Sequence, residues 1–102
     1  MAANKNVLSE AVFPHSTPET DTVLSEIADE RAYQRDRWGN EHDDALTLSK
    51  WVLFLTRYVG KVAERTDLDE YTPDQLRHAL VELGAVAVAM IETCDRSEAC
   101  YS

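Results

Sequence analysis

The segment 85–91 would be apolar on every side of a helix, and this feature constrains the fold more than any other. It belongs to a longer helical pattern that begins at Thr72-Pro73-Asp74-Gln75. There a capping threonine, a proline in the first turn and a capping-box glutamine are typical of a helix start. A helix that is apolar all round is stable in water only when other helices cover more than one of its sides. The sequence therefore predicts a central helix, packed between neighbours.

Two further helical patterns precede this segment. The first begins at Ser16-Thr17-Pro18-Glu19, again a cap followed by proline, and stops at Trp38-Gly39. The second covers about residues 47–65, with apolar side chains at spacings of three and four. Because no segment shows the alternation of a strand, we expect an all-α fold, a small antiparallel helical bundle of three main helices.

The chain length and the third helix predict the domain organisation. With 102 residues, the chain has room for one core. We expect residues 16–96 to form a single helical domain, residues 1–15 a flexible N-terminal arm and residues 97–102 a C-terminal tail. Gly84 lies in mid-helix, at a cost of up to ~1 kcal/mol relative to alanine, which predicts close approach of another helix. Because the third helix is apolar on several faces, we also expect a homodimer that covers it further.

The charge and the cysteines of the chain predict its partners and compartment. Its 19 acidic and 10 basic residues give a formal net charge of −9 at pH 7, so we expect no binding to a nucleic-acid backbone. No apolar run approaches the ~20 residues of a membrane span, so we expect no membrane association. Cys94 and Cys100 form no disulfide framework and are interpreted as free thiols in the cytoplasm. An acidic surface suits a basic protein partner.

Several polar residues lie where the helical patterns run towards the core. Glu82 stands inside an apolar stretch, where a carboxylate needs a partner or water. Glu30 and Gln34 continue the apolar stripe of the first helix. Arg57 and Lys61, one turn apart on the second helix, could supply a neutralising charge. We expect one of two arrangements of Glu30, Gln34, Arg57 and Glu82. They form either a buried polar cluster that holds the helices in register or the floor of an anion or nucleotide pocket.

An acidic stretch between the first two helical patterns could bind a metal ion. Residues 40–44 read Asn-Glu-His-Asp-Asp and predict a loop whose carboxylates offer the oxygen ligands that Mg²⁺ prefers. Asp43, Asp44 and the more distant Glu82 are the candidate metal ligands. The alternative is a solvated loop that caps the next helix. The sequence establishes no cofactor, and Mg²⁺ is expected only if the protein is an enzyme.

Two stretches of the chain resemble a known family. They comprise Glu30-Arg31, Gln34 and Trp38-Gly39 with His42-Asp43-Asp44, and then Leu80-Val81-Glu82-Leu83 with the apolar run that leads to Glu92. Together they resemble small phage and prophage proteins related to MazG-like nucleoside triphosphate pyrophosphohydrolases, over about residues 24–96. The resemblance implies an all-α fold and a dimer or higher oligomer. It also implies an ancestry in Mg²⁺-dependent cleavage of nucleoside triphosphates to monophosphate and pyrophosphate, in which several carboxylates hold the metal.

The chain departs from this family at the acidic positions. Active members carry Glu-Glu-x-x-Glu on one helix and an acidic pair on the next. The corresponding residues on the second helix here are Arg57, Tyr58 and Lys61. On the third helix, Ala79 stands where a further acid is expected, and Glu82 alone matches. The resemblance therefore implies a catalytically degenerate member of the family.

Three functions follow as expectations from the resemblance and the charges. The first is binding of a nucleotide or a protein partner without standard catalysis. The candidate binding residues are Glu30, Gln34, Trp38, Arg57, Lys61 and Glu82. The second is a Mg²⁺-dependent pyrophosphohydrolase with a displaced acidic site, built from Glu30, Asp43, Asp44 and Glu82. The third is a purely protein-binding phage module that targets a host protein.

Overall fold

The computed structural model describes residues 14–67 and 72–97, without the side chains of residues 40–42, 44 and 97. Its elements are the helices α1 (Pro18–Ala45), α2 (Leu48–Asp67) and α3 (Pro73–Ser97). The all-α fold of three packed helices predicted from the sequence is confirmed. The expected arm and tail fall almost entirely outside the described residues.

Each helix begins after a capping threonine, and two of these threonines, Thr17 and Thr72, belong to the helix-start motifs of the sequence. The hydroxyls of Thr17, Thr47 and Thr72 each accept a hydrogen bond from the backbone N–H three residues further on, at 3.1, 3.2 and 3.2 Å. The first turn of a helix has N–H groups without a partner inside the helix. Each threonine satisfies one of them and so fixes where its helix starts.

The helix α1 is longer than its sequence pattern indicates, and it is kinked at Gly39. This residue takes φ +80° and ψ 158°, a conformation that glycine adopts without the steric cost of a Cβ. The chain then forms a further helical turn, so the prediction of a loop over residues 40–44 is wrong. Glycine interrupts the helix without ending it, and the turn after the kink runs in a new direction.

The apolar helix α3 is the central helix, as predicted, and packs against both α1 and α2. Trp51 of α2 packs against Val86 and Ala89. Lys61, further along α2, hydrogen-bonds Glu82, which precedes Val86 in α3. The helix α2 therefore runs antiparallel to α3. Within the described residues, the backbones of α1 and α2 do not approach each other closely.

The helix α1 runs parallel to α3 on another of its sides. Glu26 pairs with Arg77, and Arg31, later in α1, pairs with Glu92, later in α3. These two pairs place α1 alongside α3 in the same direction. The chain therefore runs up, down and up again, as a three-helix bundle with short connections does.

Gly84 explains how α1 and α3 can lie so close together. A Cβ at this position would lie 3.0 Å from Cδ1 of Ile27. An alanine would therefore push against the Ile27 side chain, whereas glycine leaves room for it. The predicted close approach of another helix at Gly84 is confirmed.

The buried core is small, and large apolar side chains remain at the surface. Within the part of the chain that the structure describes, the buried apolar residues besides Cys94 are Trp51, Ala79, Ala85, Val86 and Ala89. Among the large apolar residues of α2 and α3, those exposed by 43–61% are Leu48, Val52, Leu53, Val59, Leu80 and Ile91. No helix within the described residues is long and apolar enough to span a membrane.

Cys94 forms a disulfide bond, so the interpretation of this residue as a free thiol is wrong. Its side chain is 9% exposed, near the end of α3. Two cysteines alone establish no disulfide pattern, so the sequence held no signal for this bond.

Candidate functional site

Polar side chains from all three helices converge on one place, which we call the Tyr58 cluster. Its members are Glu30 and Gln34 from α1, Tyr58 and Lys61 from α2, and Glu82 from α3. Gln34 Nε2 donates a hydrogen bond to Glu30 Oε2 at 3.3 Å. Lys61 Nζ donates to Glu82 Oε1 at 2.9 Å and lies 5.9 Å from the centroid of the Tyr58 ring. The distance between Lys61 Nζ and the Tyr58 ring is within the range of a cation–π interaction.

The Tyr58 hydroxyl shows that Glu30 and Glu82 share one environment. Burial raises the pKa of Tyr58 above its ordinary value of 10.0, and the negative charges of Glu82 and Glu30 raise it further. Lys61 acts in the opposite direction, because its positive charge favours the phenolate. Two carboxylates from different helices thus act on one hydroxyl group.

Four of the six candidate binding residues lie in the Tyr58 cluster, and Arg57 does not. Arg57 is exposed and lines a shallow groove of about 200 Å³ with Lys50 and Leu53. Successive residues of a helix are about 100° apart, so the neighbour of Arg57, Tyr58, points to the cluster instead. Sequence reasoning missed Tyr58, although it stands seven residues after Trp51, at the same position of the apolar stripe.

The sixth candidate, Trp38, belongs to a row of aromatic rings. Trp38 meets Phe54 edge to face at 5.6 Å between centroids, and Phe54 stacks on Tyr58 at 5.6 Å. Such distances are favourable for aromatic pairs. The cavity beside this row, which Trp51 and Gln34 also line, measures about 10 Å³, room for one water at most. A nucleobase does not fit into it.

Arg31, which sequence reasoning also missed, is the centre of a second polar network. Its side chain is 3% exposed. Arg31 Nη2 donates to Asp43 Oδ2 at 2.9 Å, and Arg31 Nε donates to Glu92 Oε1 at 2.7 Å. Asp43 is as deeply buried as Arg31, so the two opposite charges compensate for part of each other's loss of hydration.

The two candidate metal ligands that the structure describes each pair with a positively charged side chain. Asp43 pairs with Arg31, and Glu82 pairs with Lys61. The side chain of Asp44 lies outside the described residues. Over residues 14–67 and 72–97, no three His, Cys, Asp or Glu side chains lie together so that they could hold a metal ion. The two described ligands therefore do not fit a Mg²⁺ site built from several free carboxylates.

A cleft of about 530 Å³ opens between α1 and the first turns of α3, and we call it the acidic cleft. Its carboxylates are Glu26, Asp29, Glu30 and Asp74. Arg77 donates two hydrogen bonds to Glu26 and lowers the pKa of that carboxyl group. The volume is that of a small-molecule site. Because the acids outnumber the bases, the cleft favours a cationic group over a phosphate.

Tyr58 should ionise only above pH 10.0, its ordinary pKa, and Glu82→Gln should lower its pKa. The substitution removes a repelling charge and also frees Lys61. The pKa of Tyr58 is higher in the folded than in the unfolded state, so its contribution to the free energy of unfolding is complete at pH values below its unfolded-state pKa. This contribution is lost as the pH rises through its folded-state pKa. The measurement is a tyrosinate absorbance titration of the wild type, Glu82→Gln and Tyr58→Phe.

The matched control for this titration is Glu92→Gln, which removes a carboxylate of the Arg31 network instead. It should leave the titration of Tyr58 unchanged. A Tyr58 titration that is the same in Glu82→Gln and in the wild type would contradict the Tyr58 cluster.

Comparison of the chain with family models, with curated proteins and with solved structures found no match in any of the three. The described residues establish a small all-α protein of three packed helices. Its function is therefore inferred from the geometry and chemistry of these residues.

Proposed function

We propose that the chain is a MazG-like helical domain that lacks standard pyrophosphohydrolase chemistry and works by binding. The observation that carries this proposal is the ion pair between Lys61 Nζ and Glu82 Oε1, at 2.9 Å. In the family that the sequence resembles, carboxylates on the corresponding helices hold Mg²⁺ against the triphosphate. Here the ammonium group of Lys61 lies against the one matching carboxylate.

A divalent cation is disfavoured at this position by simple electrostatics. The ammonium group already neutralises Glu82 and would repel a metal ion placed beside it. Arg57 and Tyr58, at the other corresponding positions, add no acid. A Mg²⁺ site with several carboxylate ligands therefore has one carboxylate here, and that one is already paired.

The acidic cleft favours a protein partner over a free nucleotide. Three of its carboxylates, Asp29, Glu30 and Asp74, form no ion pair within the described residues. They would repel a triphosphate and attract the lysine or arginine side chains of a partner. We therefore propose a basic segment of a protein as the ligand, and a host protein if the chain is encoded by a phage.

The alternative is a Mg²⁺-dependent nucleoside triphosphate pyrophosphohydrolase with a displaced acidic site. One observation favours it: Glu30 and Glu82, which come from different helices, both act on the Tyr58 hydroxyl. Glu30 also lines the acidic cleft, beside Asp29. If Lys61 moved away from Glu82, these carboxylates could together approach a metal-bound triphosphate.

The homodimer is also part of the proposal. Large apolar side chains are exposed on both α2 and α3: Leu53 of α2 by 54%, and Leu80 and Ile91 of α3 by 48% and 61%. Apolar side chains in water carry a free-energy cost that burial against a second copy would remove. Two copies related by a two-fold axis would each cover the other.

Incubation with a panel of ribonucleoside and deoxyribonucleoside triphosphates, with Mg²⁺ or Mn²⁺, separates the two functions. We expect no release of pyrophosphate and no rise of the Tm with nucleotide. Pyrophosphate release that is lost in Glu82→Ala would overturn the non-catalytic proposal and support the displaced acidic site. Stabilisation by a nucleotide without release would leave the domain non-catalytic but overturn the preference for a protein partner.

A further inference from the structure

The side of α2 that faces neither α1 nor α3 is exposed and carries one charge, Asp67 in the last turn. We call it the outer face of α2. By the helical repeat it comprises Ser49, Val52, Leu53, Thr56, Val59, Gly60, Ala63 and Asp67, all of them exposed. Val52, Leu53 and Val59 are 49%, 54% and 50% exposed. In a chain with 28% charged residues, a solvated helix face of this length would be expected to carry several charges rather than one.

Gly60, on this face, is not required by the packing of the chain itself. A Cβ at Gly60 would meet no atom within 4 Å, whereas a Cβ at Gly84 would meet Ile27. Glycine destabilises a helix interior relative to alanine. A close approach of another helix to α2 at this point would compensate for the helix stability lost at Gly60. Thr56 and Ala63, one turn to either side, are also small and extend the region of close approach.

We infer that the outer face of α2 binds the same face of a second copy of the chain, with the two α2 helices antiparallel and closest near Gly60. The inference rests on the homodimer proposed above and assigns its interface. Each copy has a formal charge of −9, so two copies repel each other in general. A face with a single charge, in the last turn of α2, is where they can meet with the least repulsion, and a two-fold axis brings identical faces together.

Charges at the edge of this face complement each other in an antiparallel pair. Arg57 and Glu64 are seven residues apart, two helical turns, and therefore lie on the same edge of α2. Neither forms an ion pair within the described residues. In an antiparallel pair that crosses near Gly60, Arg57 of each copy faces Glu64 of the other. In a parallel pair this edge of α2 would face the opposite edge of the other copy, and the two charges would not meet.

Sedimentation velocity over a range of protein concentrations tests this interface. We expect the wild type to dimerise. Gly60→Leu should raise the dimer dissociation constant at least about tenfold, because leucine fills the point of closest approach. Circular dichroism should show an intact helical fold, since the position is open within one chain. Ser25→Leu, with the same side chain at an exposed position of α1, is the matched control and should leave the dimer unchanged.

Charge reversal tests the antiparallel orientation. Arg57→Glu and Glu64→Arg should each weaken the dimer, and the double variant should restore it. A chain that is monomeric at every concentration would overturn both the interface and the homodimer. A dimer that withstands Gly60→Leu but dissociates with Leu80→Glu would overturn this interface alone and move the contact to α3. The pyrophosphate assay is independent of these outcomes.

Discussion

Replacement of Arg31 by methionine should lower the free energy of unfolding by about 3–5 kcal/mol. The guanidinium group is 3% exposed and donates hydrogen bonds to Asp43 and Glu92. Glu92 is 36% exposed, so water can take over part of its solvation. Asp43 cannot be solvated in the same way, because its side chain is only 3% exposed. The variant therefore removes the guanidinium group that pairs with a buried carboxylate.

Urea denaturation at a fixed protein concentration measures this loss. The matched control is Arg35→Met: Arg35 is 43% exposed and reaches the same Glu92, with Nη2 3.5 Å from Oε2. An exposed ion pair is worth at most about 1 kcal/mol. Addition of Asp43→Asn to Arg31→Met should recover part of the stability, because the buried charge is then gone. Equal losses in the two arginine variants would show that burial of the Arg31 pair is not decisive.

Replacement of Trp51 by alanine should lower the free energy of unfolding by about 3–5 kcal/mol relative to the wild type. Trp51 is 4% exposed and packs against Val86 and Ala89 in the core between α2 and α3. Its ring also contacts Phe54, at 6.3 Å between centroids. Alanine would leave a cavity at the point where α2 is held to the central helix.

Trp51→Phe should be much less harmful than Trp51→Ala. The Nε1 atom of Trp51 is buried and has no hydrogen-bond partner among the described residues, and such a donor is costly to bury. Phenylalanine keeps a ring in the core and removes this donor. Tyr33→Ala removes a ring that is 58% exposed and should cost little in the same urea titration. A loss in Tyr33→Ala as large as in Trp51→Ala would contradict the assignment of the core.

The helix starts and the central helix could be predicted because their signals are local. A capping threonine acts on an N–H three residues away, and an all-apolar helix shows its need for neighbours in its own sequence. The end of α1 could not be predicted. A glycine such as Gly39 interrupts an apolar pattern in the same way whether the chain leaves the helix or only kinks.

The candidate site was predictable in part. Glu30, Gln34 and Glu82 stood out because each interrupts or continues an apolar stripe with a polar side chain. The choice between Arg57 and Tyr58 depends on the rotation of α2 about its axis, which the packing of the core sets. Arg31 was not predictable, since its partners lie 12 and 61 residues away in the sequence. A long charged side chain on a helix is by itself typical of a solvated surface.

The kink at Gly39 decides more than the direction of α1. In a straight helix, Asp43 would stand about 18 Å along the axis from Arg31, far beyond the reach of an ion pair. The reversal that closes this gap needs a residue without a side chain, at φ +80°. The buried ion pair of Arg31 and Asp43 thus depends on the absence of a side chain at Gly39 as well as on the two charges. The losses of stability on substitution of Arg31, Gly39 and Asp43 should therefore be less than additive, because each substitution disrupts the same ion pair.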